Sequence, residues 1–245
     1  MSGAPPAPRA DSYPELSPFA LPSETIVVLN AYVDLLAGYG RANVTGARGS
    51  PRAAAWLVGD ALALLDVVEA RDRASGRWLD LGTGNGVPGL PLALAMPGIE
   101  LTLVDSVARK CKFVAGALAD LGLDGRARVA CERSERLAAL TSDDRESYDV
   151  VLAKAVGPLA TVGELAAPLL RVGGVLLAHK GASQADREWA GGESAGAACG
   201  LAARRIVPLP RSPLEHSVCV VCEKVAPCPE SIPRREGLAR SRPLG

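Results

Sequence analysis

Leu79-Asp80-Leu81-Gly82-Thr83-Gly84-Asn85-Gly86-Val87-Pro88-Gly89 decides the fold. It follows a short apolar run, Arg77–Leu81, and precedes a helical stretch, Pro91–Ala95. Glycines let a backbone turn tightly and let a ligand approach with no Cβ in the way. In an open α/β sheet, ligands lie outside the carboxyl ends of the strands. The turn is therefore expected to seat a nucleotide-like cofactor, with Gly84 at positive φ or against the ligand. Gly84-x-Gly86-x-x-Gly89 also fits a dinucleotide fingerprint. Asp80 before the glycines, and Asp105 closing the next strand in Leu103-Val104-Asp105-Ser106, favour S-adenosylmethionine. A carboxylate at 105 can accept both ribose hydroxyls, which suits NAD as well. Pro88 and the small helix-entry space are less suited to a pyrophosphate.

Outward from this turn, short apolar runs alternate with helical stretches. Strands are expected at Arg77–Leu81, Glu100–Val104, Ala127–Cys131, Tyr148–Ala153 and Val175–His179, and helices at Val107–Leu121, Leu159–Leu170 and Gln184–Ala197. Such βα alternation implies a parallel, doubly wound, Rossmann-like α/β sheet with right-handed crossovers. Two further strands, Ala203–Val207 and Ser217–Val225, are joined by a short Pro-rich link and predict an antiparallel ending. Upstream, Ile26, Val27, Leu29, Tyr32, Val33, Leu35 and Leu36 recur at helical spacing after Ser23, a candidate cap. Gly38 and Gly40 stop that helix, and Ser50-Pro51 opens another running to about Ala70. The expected organisation is a disordered arm (1–22), an N-terminal helical extension (23–75), a cofactor-binding domain (76–230) and a basic C-terminal tail (231–245).

The 245 residues are 48% hydrophobic, enough for one sizeable core, but only 4% aromatic, so Leu, Val and Ala must fill it. Basic and acidic residues balance at 27 each, so only local charge can point to a nucleic-acid partner. No stretch reaches the ~18–20 apolar residues of a membrane span, and residues 1–11 lack the apolar region of a signal peptide. A cytoplasmic location with reduced cysteines is expected. His216, Cys219, Cys222 and Cys228 invite a zinc reading. However, Val218, Val220 and Val221 mark a strand, where positions 219 and 222 face opposite ways, so no metal is expected. Nothing in the sequence sets the oligomeric state.

At this point the chain resembles a known family. Asp80–Leu90, Val104-Asp105-Ser106 with Arg109-Lys110 after it, Tyr148-Asp149-Val150-Val151, and Ala178-His179-Lys180-Gly181 together are similar to the RsmG (GidB) family. These are bacterial methyltransferases that modify N7 of one guanine in 16S rRNA. Asn43-Val44-Thr45 resembles the family's Asn-Leu-Thr element. Pro233-Arg234-Arg235-x-Gly237 with Arg242-Pro243-Leu244 resembles its C-terminal signature. The likeness spans about residues 23–244. Three places depart from the pattern. Lys154 stands for an arginine, Trp56-Leu57 stand for Arg-His, and Arg235-Glu236-Gly237 stand for Arg-Pro-Gly.

The resemblance implies an S-adenosylmethionine site at Gly82, Gly84, Val87, Asp105, Ser134, Glu135 and Lys154, with the Ser134-Glu135 pair near the adenine. It implies a partner, 16S rRNA or the small ribosomal subunit. Guanine N7 has a lone pair and no proton, so no general base is expected, and alignment supplies the rate. Lys154 is the candidate nearest the reacting groups, touching either the cofactor or an RNA phosphate. RNA phosphates need cations. The candidates are Arg109, Lys110, Lys112, Lys180, Arg234, Arg235, Arg240 and Arg242. A small-molecule methyltransferase and a nucleotide-binding dehydrogenase are the competing readings.

Overall fold

A computed structural model describes residues 13–39, 50–69 and 73–244. Asn43-Val44-Thr45 and Gly40 lie outside them. The elements are α1 (Ser23–Gly38), α2 (Pro51–Leu62), α3 (Leu65–Glu69), β1 (Ser75–Leu81), α4 (Gly89–Ala95), β2 (Gly98–Val104), α5 (Ala108–Asp120), β3 (Ala127–Ala130), α6 (Ser134–Leu137), β4 (Tyr148–Lys154), α7 (Leu159–Ala166), β5 (Leu170–Gly181), α8 (Ala182–Ala198), β6 (Leu201–Pro208), β7 (Ser217–Lys224) and α9 (Leu238–Ser241).

One seven-stranded sheet runs in the order β3-β2-β1-β4-β5-β7-β6. β1 to β5 pair in parallel, whereas β7 is antiparallel to both β5 and β6. This is the doubly wound sheet with an antiparallel ending that the alternation predicts. Strand order reverses between β1 and β4, which makes their carboxyl ends the topological switch point where ligands settle.

Both faces are covered, which is why the strands read as continuous apolar runs. Successive residues alternate between two cores. Trp78, Val150, Leu177 and Val221 pack under α1 to α5. Leu79, Val151, Leu176 and Val220 pack under α6 to α8. Cys219 belongs to the first core and Cys222 packs on the second, so the two thiols do face opposite ways. α1, α2 and the sheet share one core.

Several boundaries move. Ser23 is the first helical residue and does not cap; Pro22 occupies the cap. Ser50 caps α2 as expected, accepting from Ala53 N at 3.3 Å. The helix from Ser50 breaks after Leu62, and a turn at Ala63-Leu64 leads into α3. The arm expected to be disordered is folded from Tyr13 onward. Pro14–Phe19 form a 3₁₀ helix that buries Leu16 and Phe19 in the first core. Two apolar side chains at helical spacing gave it something to bury. Residues 1–12 lie outside the described ones. The described part of the tail is also folded: Ile232 is buried in the second core, and Leu244 packs against it.

Candidate functional site

The glycine turn is organised from below by Asp80. β1 carries this carboxylate to the switch point fully buried. Its Oδ2 accepts from Thr83 Oγ1 at 2.7 Å and from Gly89 N at 2.9 Å, tying both ends of the turn together. Its Oδ1 has no partner among the described residues. Burial pushes this carboxyl up to about 7; the bonds from Thr83 and Gly89 oppose the rise and the charge of Asp105 adds to it. Asp80 thus shapes the turn from inside. From the other side, Tyr32 of α1 donates to Asn85 O at 2.8 Å, so the N-terminal helix braces the same turn.

Above the turn lies a cleft lined by Gly82, Asp105, Ser106, Lys110, Glu132, Arg133, Ser134, Glu135, Ala155, Val156, Gly237 and Arg240, among others. Gly82 has φ +63°, and a Cβ there would lie 3.2 Å from Val156 Cγ2, closing the gap between the ends of β1 and β4. Asp105 Oδ1 accepts from Val107 N at 2.9 Å. Its Oδ2 accepts from Gly84 N at 3.0 Å and from Lys110 Nζ at 3.3 Å. Gly84 holds φ +63°, the conformation that aims its N–H at this carboxylate. A carboxylate has about four acceptor positions. Asp105 therefore organises the loop and retains capacity for a hydroxyl. Ser134 Oγ donates to Glu135 Oε2 at 3.3 Å, while Glu135 Oε1 accepts from Gly237 N at 2.8 Å. A buried acceptor, a glycine cradle and a polar patch after β3 fit the nucleoside part of S-adenosylmethionine.

Three of the expected cofactor residues do not line this cleft: Gly84, whose N–H is bonded to Asp105, Val87 and Lys154. Val87 is buried in the first core. Lys154 points into a second cavity, lined by Asp60, Lys154, Ala155, Gly157, His179, Lys180, Glu215 and Ser217 among others. Ala155 borders both spaces. The cleft holds about 210 Å³ and the cavity about 480 Å³. Together they reach the range of ligand sites, roughly 300–1,000 Å³.

Asp60 of α2, which sequence reading passed over as a site residue, anchors that cavity. It is buried and forms an ion pair with Lys154 Nζ. Its Oδ1 accepts from Ser212 Oγ at 2.5 Å and Ser217 Oγ at 2.9 Å. Burial alone would raise its carboxyl, but His179 and Lys154 outweigh that and hold it well below the usual carboxylate range. His179 Nε2 lies 3.1 Å from Asp60 Oδ1, outside hydrogen-bond geometry, so the contact is electrostatic. Burial lowers the His179 imidazole below its usual value; Asp60 opposes this and Lys154 adds to it. The one available signal was a carboxylate set in the apolar run of α2, where an unpaired charge is too costly to bury.

The basic residues divide sharply. Arg109, Lys112, Arg235 and Arg242 are exposed. Lys110 is engaged by Asp105. Lys180 is buried, donating to Gly157 O at 2.5 Å and Glu188 Oε2 at 2.9 Å, so it is not placed for an RNA phosphate. Arg234 is likewise committed: its Nε and Nη2 grip Glu164 Oε1 and Oε2 at 2.5 and 2.6 Å. In both cases an internal carboxylate captured the cation that looked free in sequence.

A GidB family model, described as rRNA small subunit methyltransferase G, matches residues 25–212. The ribosomal RNA small subunit methyltransferase G of Rubrobacter xylanophilus is 36% identical over 225 residues, covering 90% of this chain and 84% of its own. That of Deinococcus radiodurans is 42% identical over 175 residues, covering 69% and 67%. Among solved structures, the S-adenosylmethionine-dependent methyltransferase SibL in its apo form aligns with a TM-score of 0.57 at 17% identity, over 81% of this chain and 70% of its own. A geranyl diphosphate methyltransferase in complex with SAM aligns at 0.54 and 15%, over 77% and 94%. At such identities these structures bear on the fold alone.

Proposed function

The chain belongs to the GidB family of rRNA small subunit methyltransferase G, and from that premise we propose that it methylates guanine N7 in 16S rRNA using S-adenosylmethionine. The dehydrogenase reading of the glycine turn falls with that membership. The observation that carries the proposal is the junction of two spaces at Ala155. One has the acceptors and glycine cradle of a nucleoside site. The other is a polar cavity at the ends of β4 and β5, where an acceptor base can enter. The substrate places the reaction in the cytoplasm, and among the described residues no helix is long and apolar enough to cross a membrane.

The cofactor supplies a sulfonium methyl group, which the N7 lone pair takes without any proton leaving the base. The chain's residues accordingly align rather than titrate. Asp105, Ser134 and Glu135 hold the nucleoside, and Gly82 keeps the space above β1 open. Asp60 fixes the Lys154 ammonium at the wall of the acceptor cavity, where a cation can meet guanine O6 or an RNA phosphate. Its point charge lacks the planar fork of an arginine, so its orientation depends on that buried anchor. Positioning of this kind can supply roughly 7–11 kcal/mol of the barrier.

The test is methyl transfer to small subunits from cells lacking the protein, with the product nucleotide mapped by mass spectrometry. Appearance of one N7-methylated guanine supports the proposal. Transfer to no rRNA or subunit substrate, with cofactor still bound, would move the chain to a small-molecule acceptor.

A further inference from the structure

We propose that Arg240 binds the amino-acid carboxylate of the cofactor, with the C-terminal segment forming the outer wall of its cleft. The inference rests on the S-adenosylmethionine reading above. The segment looks in sequence like a solvated basic end. Instead, it is docked along α7 and the cleft. Arg234 is locked on Glu164 and also donates to Arg242 O at 2.6 Å. Thr161 Oγ1 donates to Ala239 O at 3.1 Å, and Ala239 is buried. Gly237 N reaches Glu135. This docking carries Gly237 and Arg240 into the cleft wall.

The chemistry of the ligand then selects among the cations there. The adenosine part of S-adenosylmethionine is neutral. The other end bears a carboxylate, which in a partly closed cleft calls for a charged donor. Among the described residues the cleft is lined by three cations, Lys110, Arg133 and Arg240. Lys110 is held on Asp105, where the ribose is placed. Arg133 precedes Ser134 and Glu135, at the adenine end beyond β3. Strand order puts β2 and β3 on one side of β1 and β4 on the other. A nucleoside on Asp105 therefore runs its amino-acid end over Gly82 toward β4. Arg240 waits on that side. Its Nη2 donates to Val156 O at 3.2 Å, and Val156 is the residue that faces Gly82. That bond uses one of five guanidinium N–H groups and leaves a planar fork suited to a carboxylate.

The experiment is calorimetric titration of the full chain with two probes, S-adenosylhomocysteine and 5′-methylthioadenosine. They share the adenosine thioether, and only the first carries the amino acid. Wild type, Arg240→Ala and Arg240→Lys are compared, with thermal melts to verify folding. Arg240→Ala is expected to bind S-adenosylhomocysteine about tenfold or more weakly, the size of one charge-assisted hydrogen bond, and methylthioadenosine unchanged. Arg240→Lys should recover part of the loss. Equal affinity of wild type and Arg240→Ala for S-adenosylhomocysteine would overturn the inference. An equal loss for both probes would also overturn it, because the residue would then be only part of the wall. If the wild type binds neither probe, the cofactor reading itself fails and the inference with it.

Discussion

Replacing Arg234 with alanine tests whether the C-terminal segment is structural. Glu164 is 1% exposed, and its two oxygens receive Arg234 Nε and Nη2 at 2.5 and 2.6 Å. Removing one partner of a buried ion pair strands the other charge and costs about 3–5 kcal/mol. The Arg234 side chain keeps 22% of its exposure, so the lower end, about 3 kcal/mol, applies. For a chain of this size each kcal/mol moves the melting temperature by about 2–4 °C, so a drop of about 6–12 °C is expected. The segment has one way to limit this loss: it can undock and let water reach Glu164. The cleft then loses Gly237 and Arg240, and S-adenosylhomocysteine affinity falls instead. Thermal unfolding and titration are therefore run on the same samples. The double variant Glu164→Gln with Arg234→Met, which removes both charges, should recover most of the stability. A single variant that melts with the wild type and binds with unchanged affinity would refute the reasoning.

Asp105→Ala should weaken S-adenosylhomocysteine binding by on the order of 1.5–3 kcal/mol, because Gly84 N and Val107 N lose their acceptor along with the ribose. Unchanged calorimetric affinity in a folded variant would contradict this. Asp80, pushed up to about 7 by burial, keeps its proton in the folded chain at pH values where the unfolded chain, near 3.9, has released it. The folded state then binds more protons between about pH 4 and 7, so its stability should fall across that window, by on the order of 4 kcal/mol from this group. Urea unfolding of Asp80→Asn should show a flatter pH dependence, and identical slopes would dismiss the shift. For RNA, Arg109→Ala with Lys112→Ala, or Arg235→Ala with Arg242→Ala, should flatten the salt dependence of small-subunit binding by about 0.7–0.9 per lost phosphate contact. Lys180→Ala should lower stability and leave that slope alone; the reverse pattern would restore Lys180 to the RNA surface.

The sheet was legible because its strands are buried on both faces and stand out as apolar runs between helical stretches. The glycine turn, Asp105, Ser134 and Glu135 were legible because they follow strand ends, and strand ends converge at the switch point. What local sequence did not reveal is which side chains the fold pairs with one another. Arg234 looked free because its partner lies 70 residues upstream, inside the apolar stretch Leu159–Ala166. Lys180 looked free although Glu188 follows eight residues later, because only the fold shows that its side chain turns inward. The anchoring of Lys154 on Asp60, 94 residues away, has no local signal. In both Asp60 and Glu164 the sequence held a clue: a carboxylate in an apolar helix needs a cation from elsewhere. Val87 packs in the core beneath the turn.

Ala155 shows how the two halves of the site are joined. It follows β4 directly, is not glycine, and holds φ +57°. A left-handed conformation costs an alanine roughly 1–2 kcal/mol, and such residues persist where surrounding contacts fix them. Those contacts are on either side. Lys154 is drawn to Asp60 in the acceptor cavity, and Val156 packs toward Gly82 at the cleft. The turn at Ala155 lets consecutive residues serve the two spaces, and its exposed methyl is the side chain they share. In the proposed reaction the base must approach the methyl carbon in line with the departing sulfur, with no side chain in the way. A small residue at the junction leaves that approach open. Asp60 on one flank and the approach of Val156 to Gly82 on the other hold the junction in its strained turn, so the alignment is built before either ligand arrives.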